Sequence, residues 1–534
     1  MGEGGYINLV NGTPYRWKRT DQKSYQMDGW DFPDSINAGS VPAVYAEFNQ
    51  DLLKNRKDTS GSATYTLEGT KCTFSVHVAD KPERLWVQLD GLETVNNPRG
   101  SKIEVGWRHD ESVTFVLSGK QGNFHSSNPP MDWMQQNRNT LGQRPLSQIC
   151  ILGTHDSGMS TVSHCDIPGG VIDPYVLCQS LPVKGQLEQG ARYFDLRPQY
   201  SGGHLWTGHY TGKVGGRGES IKDVISAVNE FTRDNGELII LQFSHSLQSD
   251  TEDWREFKKE EWHALMKELL KLNHLFICED KKKANNLCQL KLDDFIGGGK
   301  AAVVCIIEQW DLKIDDYATK GFYKLEQFNI RNEYSNKDDT EVMVKDQLEK
   351  MKGHMSAKDK RLFLLSWTLT QQAPNWDGDV VSFAKIAPRS LKPIKHMARR
   401  CNKELFTRLL PEVSDKSFPN VVYIDYLNNR DYVALVVAIN DKHELRMVNM
   451  IAADWDSWPS SSRSIAHVGQ NLDDTTKVLL RFHAYLIRGR QSNLGNLWND
   501  LSELIWDAGF DGKYESRYTL RMQVFPGLLP EEDV

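Results

Sequence analysis

Apolar and polar positions alternate in short runs over residues 1 to about 120, as in "SATYTLEGTKCTFSVHVAD", "RLWVQLDGLETV" and "ESVTFVLSG". Period-two alternation broken by Gly, Asn and Asp marks strands with one buried face. The stretch therefore predicts a small all-β sandwich over 1–125, with turns at Asn11-Gly12 and at Gly69. "SGKQGNFHSSNPP", from Ser118 to Pro130, has the composition of a linker and puts a boundary near residue 125.

From residue 131 the rhythm changes. Strand-like runs appear at "QICILGTH", "ARYFDLR", "HLWTGHY", "ELIILQFSH", "AAVVCIIEQ", "YKLEQFNI", "LFLLSWTL" and "NVVYIDYL". Amphipathic helices lie between several of them. One carries Ile221, Val224, Ile225 and Val228 on a single stripe; another carries Trp254, Phe257, Trp262, Leu265 and Leu269. Continuous apolar strands such as "AAVVCII" suit a sheet covered on both faces. About eight strands alternating with helices predict an α/β fold, a (β/α)8-type TIM barrel over 131–436. A doubly wound open sheet also satisfies the pattern. Residues 437–534 read as a mixed α/β extension of unknown role.

Composition narrows the class. The chain has 64 basic against 71 acidic residues and a net charge of -7, which gives no electrostatic footprint for nucleic acid. Eight cysteines are dispersed without a C-x-x-C pair, as in a reducing compartment. "MGEGGYINLV" lacks the charged and apolar regions of a secretory signal, and "YVALVVAI" is far too short to span a bilayer. A cytoplasmic protein without a transmembrane segment is expected, able to work at the periphery of a membrane.

In a barrel, the carboxyl ends of the strands converge on one mouth. Successive predicted strand ends supply His155 and Asp156, Asp195 and Arg197, His209, His245, Glu308 and finally Asp425. Each alone has a plainer explanation: a histidine at a strand end is more often structural, and Arg197 could simply pair with Asp195 or Asp156. Together they suit phosphodiester cleavage, which needs a base, an acid and a fixed cation for the phosphate oxygens. Two imidazoles can divide the proton transfers near neutral pH.

"PLSQICILGTHDSG", then "QLEQGARYFDLRP", then "HLWTGHY" resemble the X-domain of phosphatidylinositol-specific phospholipases C, above all the bacterial type. "LLSWTLT" and "FPNVVYIDYLN" resemble that family's seventh and last strands. The resemblance implies that His155 is the general base taking the proton of the inositol 2-hydroxyl, with Asp425 orienting it. It implies that His209, supported by Asp156, protonates the diacylglycerol oxygen, and that Arg197 binds a non-bridging phosphate oxygen. The first product would be a cyclic inositol phosphate, and the partner a phospholipid at a membrane surface. His245, Glu308, Trp367, Lys213 and Arg217 are the candidate substrate contacts, although Lys213 and Arg217 also read as solvation of a glycine-rich loop.

Calcium-using members of the family have Asn after the first histidine and acids on the second strand; here Asp156 and Arg197 stand at those positions. No metal cofactor is therefore expected, with calcium as the alternative. Leu152 stands where the family often has Pro, and Ser244 and His245 stand where bacterial members place a Lys, which leaves the headgroup open. The first domain resembles small membrane-binding sandwiches of the aegerolysin and actinoporin type, which would suit a lipid-docking role; Trp17, Trp30 and Trp86 also read simply as core residues. Two further readings compete: a non-catalytic phosphoinositide or inositol-phosphate binder on the same barrel, and a metal-dependent glycerophosphodiesterase-like enzyme.

Overall fold

The computed structural model describes residues 3–51, 55–80, 83–165, 172–354, 361–372, 391–414 and 416–442. The described residues belong to one compact unit, Met1–His443. The expected extension beyond 442 thus lies outside the described residues. Its predicted start at 437 falls inside a helix that covers 431–442.

Two sheets form the N-terminal sandwich. The first runs, in spatial order, Asn123–Ser126, Ser112–Lys120, Glu3–Gly12, Ala43–Phe48 and Met27–Trp30. The second runs Ser35–Ile36, Trp17–Tyr25, Ser60–Leu67, Thr73–Asp80, Glu83–Gln88 and Lys102–Glu104. The alternation predicted for "SATYTL" is met residue by residue: Gly61, Ala63, Tyr65 and Leu67 point inward while their neighbours point out. Trp17 and Trp30 are buried in this core, so neither is available to dock on a lipid. Trp86 lies half-buried in a stack with His77 and Arg84.

Two sequence expectations change here. Asn11-Gly12 is not a hairpin turn. Asn11 is buried inside its strand, and its side-chain amide donates to the carbonyls of Tyr15 and Ile36, fixing a crossing from one sheet to the other. The linker composition of 118–130 instead encodes a hairpin, because Gly119 and Gly122 adopt φ values of 79° and 87° that favour glycine. Both strands of the hairpin anchor the sandwich to the helix at 431–442: His125 Nδ1 lies 3.0 Å from Asp441 Oδ2, and Ser118 Oγ donates to the same oxygen at 2.7 Å.

The second domain is an eight-stranded, all-parallel sheet. Its strands are β1 (Ile151–Thr154), β2 (Tyr193–Leu196), β3 (Leu238–Phe243), β4 (Ala302–Ile307), β5 (Phe322–Lys324), β6 (Ile330–Asn332), β7 (Leu362–Trp367) and β8 (Val421–Ile424). The spatial order is β5-β4-β3-β2-β1-β8-β7-β6, so the strands follow chain order round a curled sheet, as in a (β/α)8 barrel. One seam has no ladder among the described residues: β5 and β6, joined by a single helical turn, do not pair.

The predicted strand count of eight is right for compensating reasons. "HLWTGHY" is not a barrel strand. It forms His204–Thr211 of a separate five-stranded sheet, together with Val214–Ser220 and Pro198–Ser201, in the excursion that follows β2. "YKLEQFNI" is two short strands, β5 and β6, because Asn329 in the left-handed region ends the turn between them. His245 and Glu308 therefore follow the third and fourth barrel strands.

Among the described helices that cover the barrel are α1 (Ile221–Asp234), α2 (Lys259–Leu269), α3 (Thr340–His354) and α4 (Ile394–Glu412), besides the helix at 431–442. Ser220 caps α1 by accepting the Asp223 N–H, and the predicted stripe of Ile221, Val224, Ile225 and Val228 is buried. The α2 stripe starts later than predicted. Glu261 reaches back to the Lys258 N–H at 2.7 Å, so the helix begins at Lys259, and Trp254 packs on Tyr210 instead. No described helix is long and apolar enough to cross a membrane.

Candidate active site

β1 delivers His155 and Asp156 to the carboxyl rim. The His155 backbone N–H donates to Ile424 of β8. Its Nδ1 lies 2.8 Å from Asp425 Oδ1, and its Nε2 lies 2.7 Å from Arg197 Nη2. A guanidinium only donates, so Nε2 accepts and Nδ1 carries the ring proton toward Asp425. This is the tautomer a general base requires. Burial disfavours the charged ring, but the Asp425 carboxylate outweighs it and moves the His155 pKa up.

The turn after His155 is tightly specified. Asp156 takes φ 42°, and the Ser157 N–H donates to the Asp195 carbonyl at 2.7 Å. A Cβ at Gly158 would meet Thr207 Oγ1 at 2.2 Å, so only glycine lets this turn pass under the mouth sheet. Asp156 is fully buried and neither carboxylate oxygen has a hydrogen-bond partner. Arg197 Nη1 and His209 Nδ1 each lie 3.4 Å from its Oδ2. Burial pushes the Asp156 carboxyl up to about 7, against the pull of Arg197.

His209 faces Asp156 from the strand His204–Thr211 of the mouth sheet. Its Nδ1 is 3.2 Å from the Val176 carbonyl and 3.4 Å from Cys178 Sγ. Burial, reinforced by Arg197 and His155, lowers its pKa to about 3, so the ring is neutral when no anion is near. Asp156 and His209 thus form a buried pair in which burial favours the uncharged form of each group. Arg197 bridges the two histidines, bonded to His155 directly and facing His209 through Asp156.

Asp195 supports this arrangement from below. Tyr423 donates to its Oδ2 at 2.6 Å, the Asp156 backbone N–H donates to the same oxygen at 3.1 Å, and Ser244 donates to Oδ1 at 3.1 Å. Burial works against ionisation, but Arg197 and His155 hold the carboxyl down at about 2. The charged Asp195 in turn keeps Arg197 ionised. Three rim residues, Asp156, His245 and Tyr426, adopt left-handed φ values of 42°, 47° and 52° just past strand ends. Such strain persists only where the surroundings over-determine it.

The other predicted contacts divide. His245 stands beside this cluster with part of its ring open to solvent and Nδ1 2.8 Å from Ser244 Oγ; desolvation of its inner side, together with Arg197, lowers its pKa. Glu308 accepts from Gln242 at 2.5 Å, and burial raises its pKa. Trp367 is not at the mouth. It is fully buried, and its indole N–H donates to the Cys401 carbonyl on α4 at 2.7 Å, which makes it a core residue of β7. Lys213 is exposed at a hairpin tip and donates to the Glu252 carbonyl; Arg217 lies over Trp206 and donates to Ser163. Neither touches the cluster.

Sequence reasoning missed Tyr423, Cys178 and Gln179. Tyr423 was findable, since it lies two residues before Asp425 on a strand and so shares its face. Gln179 donates to the carbonyls of His155 and Ile424, and no local pattern announces it.

Two triads could offer atoms to a metal: His155, Cys178 and Asp425, and Asp156, Cys178 and His209. Each supplies one carboxylate, one imidazole and one thiol. Calcium asks for six to eight oxygen ligands, so these donors fit it poorly. Asp425 is already engaged by His155, and Arg197 stands beside Asp156.

No family profile matches the chain. The variant-surface-glycoprotein phospholipase C of Trypanosoma cruzi is 28% identical over 152 residues, covering 23% of this chain and 39% of that protein. A PI-PLC X-box domain-containing protein of Dictyostelium discoideum is 25% identical over 189 residues, covering 33% of this chain and 23% of its own length. The chain thus spans well under half of each of these relatives. Among solved structures, the phosphatidylinositol-specific phospholipase C of Staphylococcus aureus superposes with a TM-score of 0.41 at 16% identity, covering 59% of this chain and 98% of that one. Its F249X mutant gives 0.39.

Proposed function

Kinship of the barrel with phosphatidylinositol-specific phospholipase C X-box proteins is the premise from which we propose that this chain is a phosphodiesterase of the phospholipase C type. Its substrate is a glycerophospholipid with an inositol headgroup, presented at a membrane surface, and its first product is a cyclic inositol phosphate. The observation that supports this reading is the chain of contacts Asp425–His155–Arg197–Asp156–His209, in which two imidazoles and a guanidinium could serve as base, acid and cation.

The 2-hydroxyl takes the place of Arg197 at His155 Nε2, and Arg197 turns its donors onto a non-bridging phosphate oxygen. His155 accepts the hydroxyl proton as the 2-oxygen bonds to phosphorus, and Asp425 stabilises the resulting imidazolium. The bond from phosphorus to the diacylglycerol oxygen breaks, and that oxygen takes a proton from His209. The anionic phosphate favours charge on His209, so the proton held by Asp156 moves to the imidazole when substrate binds. Because the nucleophile belongs to the substrate, no enzyme–substrate covalent bond is needed. Arg197 supplies the charge that a cation supplies elsewhere, and we propose that turnover needs no metal.

The test is phosphorus NMR of products from phosphatidylinositol vesicles, with and without a chelator. Wild type should give a cyclic phosphate in both conditions, and His155→Ala and His209→Ala should give none. Vesicle binding with no product from wild type would instead favour a non-catalytic binder. Activity lost to the chelator and restored by calcium would overturn the metal-free step.

A further inference from the structure

A cavity of about 1160 Å³ lies between the sandwich and the barrel. Its walls carry Arg108, Lys395, Arg399, Arg400, Lys403 and Arg430. Lys395, Arg399 and Lys403 are spaced by four on α4 and so form one stripe facing the cavity. Like charges at that spacing repel along a helix, which disfavours the bare arrangement.

The nearby carboxylates do not neutralise this wall. Glu111 is shared between Arg108, at 3.7 Å, and Arg399. Asp110 lies 3.0 Å from His109 Nδ1. Burial pushes Asp431 up to about 7, so part of its population is uncharged. Glu104 remains on the sandwich side. Arg430 donates to neutral oxygens, the carbonyls of Glu188 and Pro129. Lys395, Arg400 and Lys403 form no ion pair among the described residues, and Lys403 lies over the Tyr6 ring at 5.7 Å.

The cavity floor is the reverse side of the loop that carries Asp425, the partner of His155. Tyr426, the left-handed residue after Asp425, lines it, as does Asn402, whose side-chain amide donates to the Asp425 carbonyl at 2.8 Å. A ligand here would press on the backbone that positions Asp425.

We infer that this interdomain cavity binds a small polyanion carrying two or more phosphate groups, held by the Lys395–Arg399–Lys403 stripe. A wall on which arginine and lysine outnumber carboxylates suits the several oxygens of a phosphate chain, and arginine can meet them two at a time. The inference stands on the charge and geometry of the cavity and does not require the proposed activity.

Calorimetric titration of the full chain with inorganic tripolyphosphate tests it. Wild type should bind one equivalent. Arg197→Leu, which removes the phosphate-binding cation at the mouth, should bind equally well. Lys395→Gln/Arg399→Gln/Lys403→Gln should bind about 30-fold or more weakly, as loss of several charge-assisted hydrogen bonds implies. Should the triple variant unfold, the single Lys395→Gln, at an exposed position, should still show weaker binding. A parallel arm uses vesicles of phosphatidylcholine with and without a polyphosphorylated inositol lipid. Stripe-dependent capture of those vesicles without tripolyphosphate binding assigns the site to a membrane-borne headgroup and keeps the phosphate chemistry. Binding abolished by Arg197→Leu but untouched in the triple variant overturns the inference, as does absence of binding to both probes.

Discussion

Arg192 and Arg197 flank β2, one at each end of the barrel, and each stands beside a buried carboxylate. At the amino end, Arg192 Nε lies 2.8 Å from Glu237 Oε2, with both side chains fully buried. The remaining Arg192 donors go to the carbonyls of Leu187, Ala191 and Met131, while the N–H groups of Met134 and Gln135 satisfy Glu237. At the carboxyl end, Arg197 faces an Asp156 whose oxygens have no hydrogen bond, and its own Nε has none either. The first network is saturated and holds the lead-in segment against the barrel base. The second leaves the Arg197 Nε and both Asp156 oxygens without a hydrogen bond. The same residue types at the two ends of one strand thus form a saturated pair at one end and an open one at the other, and under the proposed function the open one is where the phosphate binds.

The widest separation should come from His155→Ala, expected to lower turnover on phosphatidylinositol vesicles by ~10²–10⁴-fold. The melting temperature should stay near that of wild type. Glu237→Ala should do the reverse. Leaving Arg192 unpaired in the interior costs ~3–5 kcal/mol, read by urea denaturation, with turnover per folded molecule unchanged. Replacing both as Arg192→Met/Glu237→Leu should recover much of that loss.

Asp156→Asn sharpens the contrast further. The folded Asp156 pKa of about 7 lies above the ordinary carboxylate value, so the native state keeps a proton that the unfolded chain releases. That contribution to stability fades as pH rises from ~4 to ~7. His209, held at about 3, acts oppositely: the native state gives up a proton the unfolded imidazole keeps, and stability grows with pH up to ~6.5. Removing the carboxylate leaves only the second trend. Asp156→Asn should therefore lose activity yet gain ~1–3 kcal/mol over wild type above pH 7, and progressively less toward pH 4. Denaturation midpoints at pH 5 and pH 8 would check this; a variant destabilised at pH 8 would mean that Asp156 is structural.

Tyr423→Phe, which takes one hydrogen bond from Asp195, should cost ~1 kcal/mol and several-fold in turnover. Smallest of all, Lys213→Ala and Arg217→Ala should change turnover by less than about twofold, since surface substitutions away from a site are near neutral.

Strand ends were the legible part of the site. His155, Asp156, Arg197 and Asp425 follow apolar runs that could hardly be anything but barrel strands, so their convergence was readable from the pattern. His209 was readable as a residue but not as a position. An alternating run in a mouth sheet has the same period as a barrel strand, and nothing local tells them apart. Trp367 failed for a related reason: a residue ending a strand points inward or outward by parity, and its partner on α4 decides the matter. Gln179 comes from a loop whose role exists only after β1 and β8 meet. In the sandwich, alternation gave the strands, but the glycines of 118–130 were ambiguous between a tether and a tight reversal.

Among the described residues β5 and β6 share no ladder, which makes the sheet a rolled ribbon with two borders there. Strain at the mouth can relax by a slight parting of those borders, whereas a hoop would have to break a ladder. Amide exchange should accordingly run fastest along Phe322–Lys324 and Ile330–Asn332 and slowest at β1, β2 and β8, diametrically across from the gap. Each border is only three residues long, too short a template to recruit a strand from another molecule.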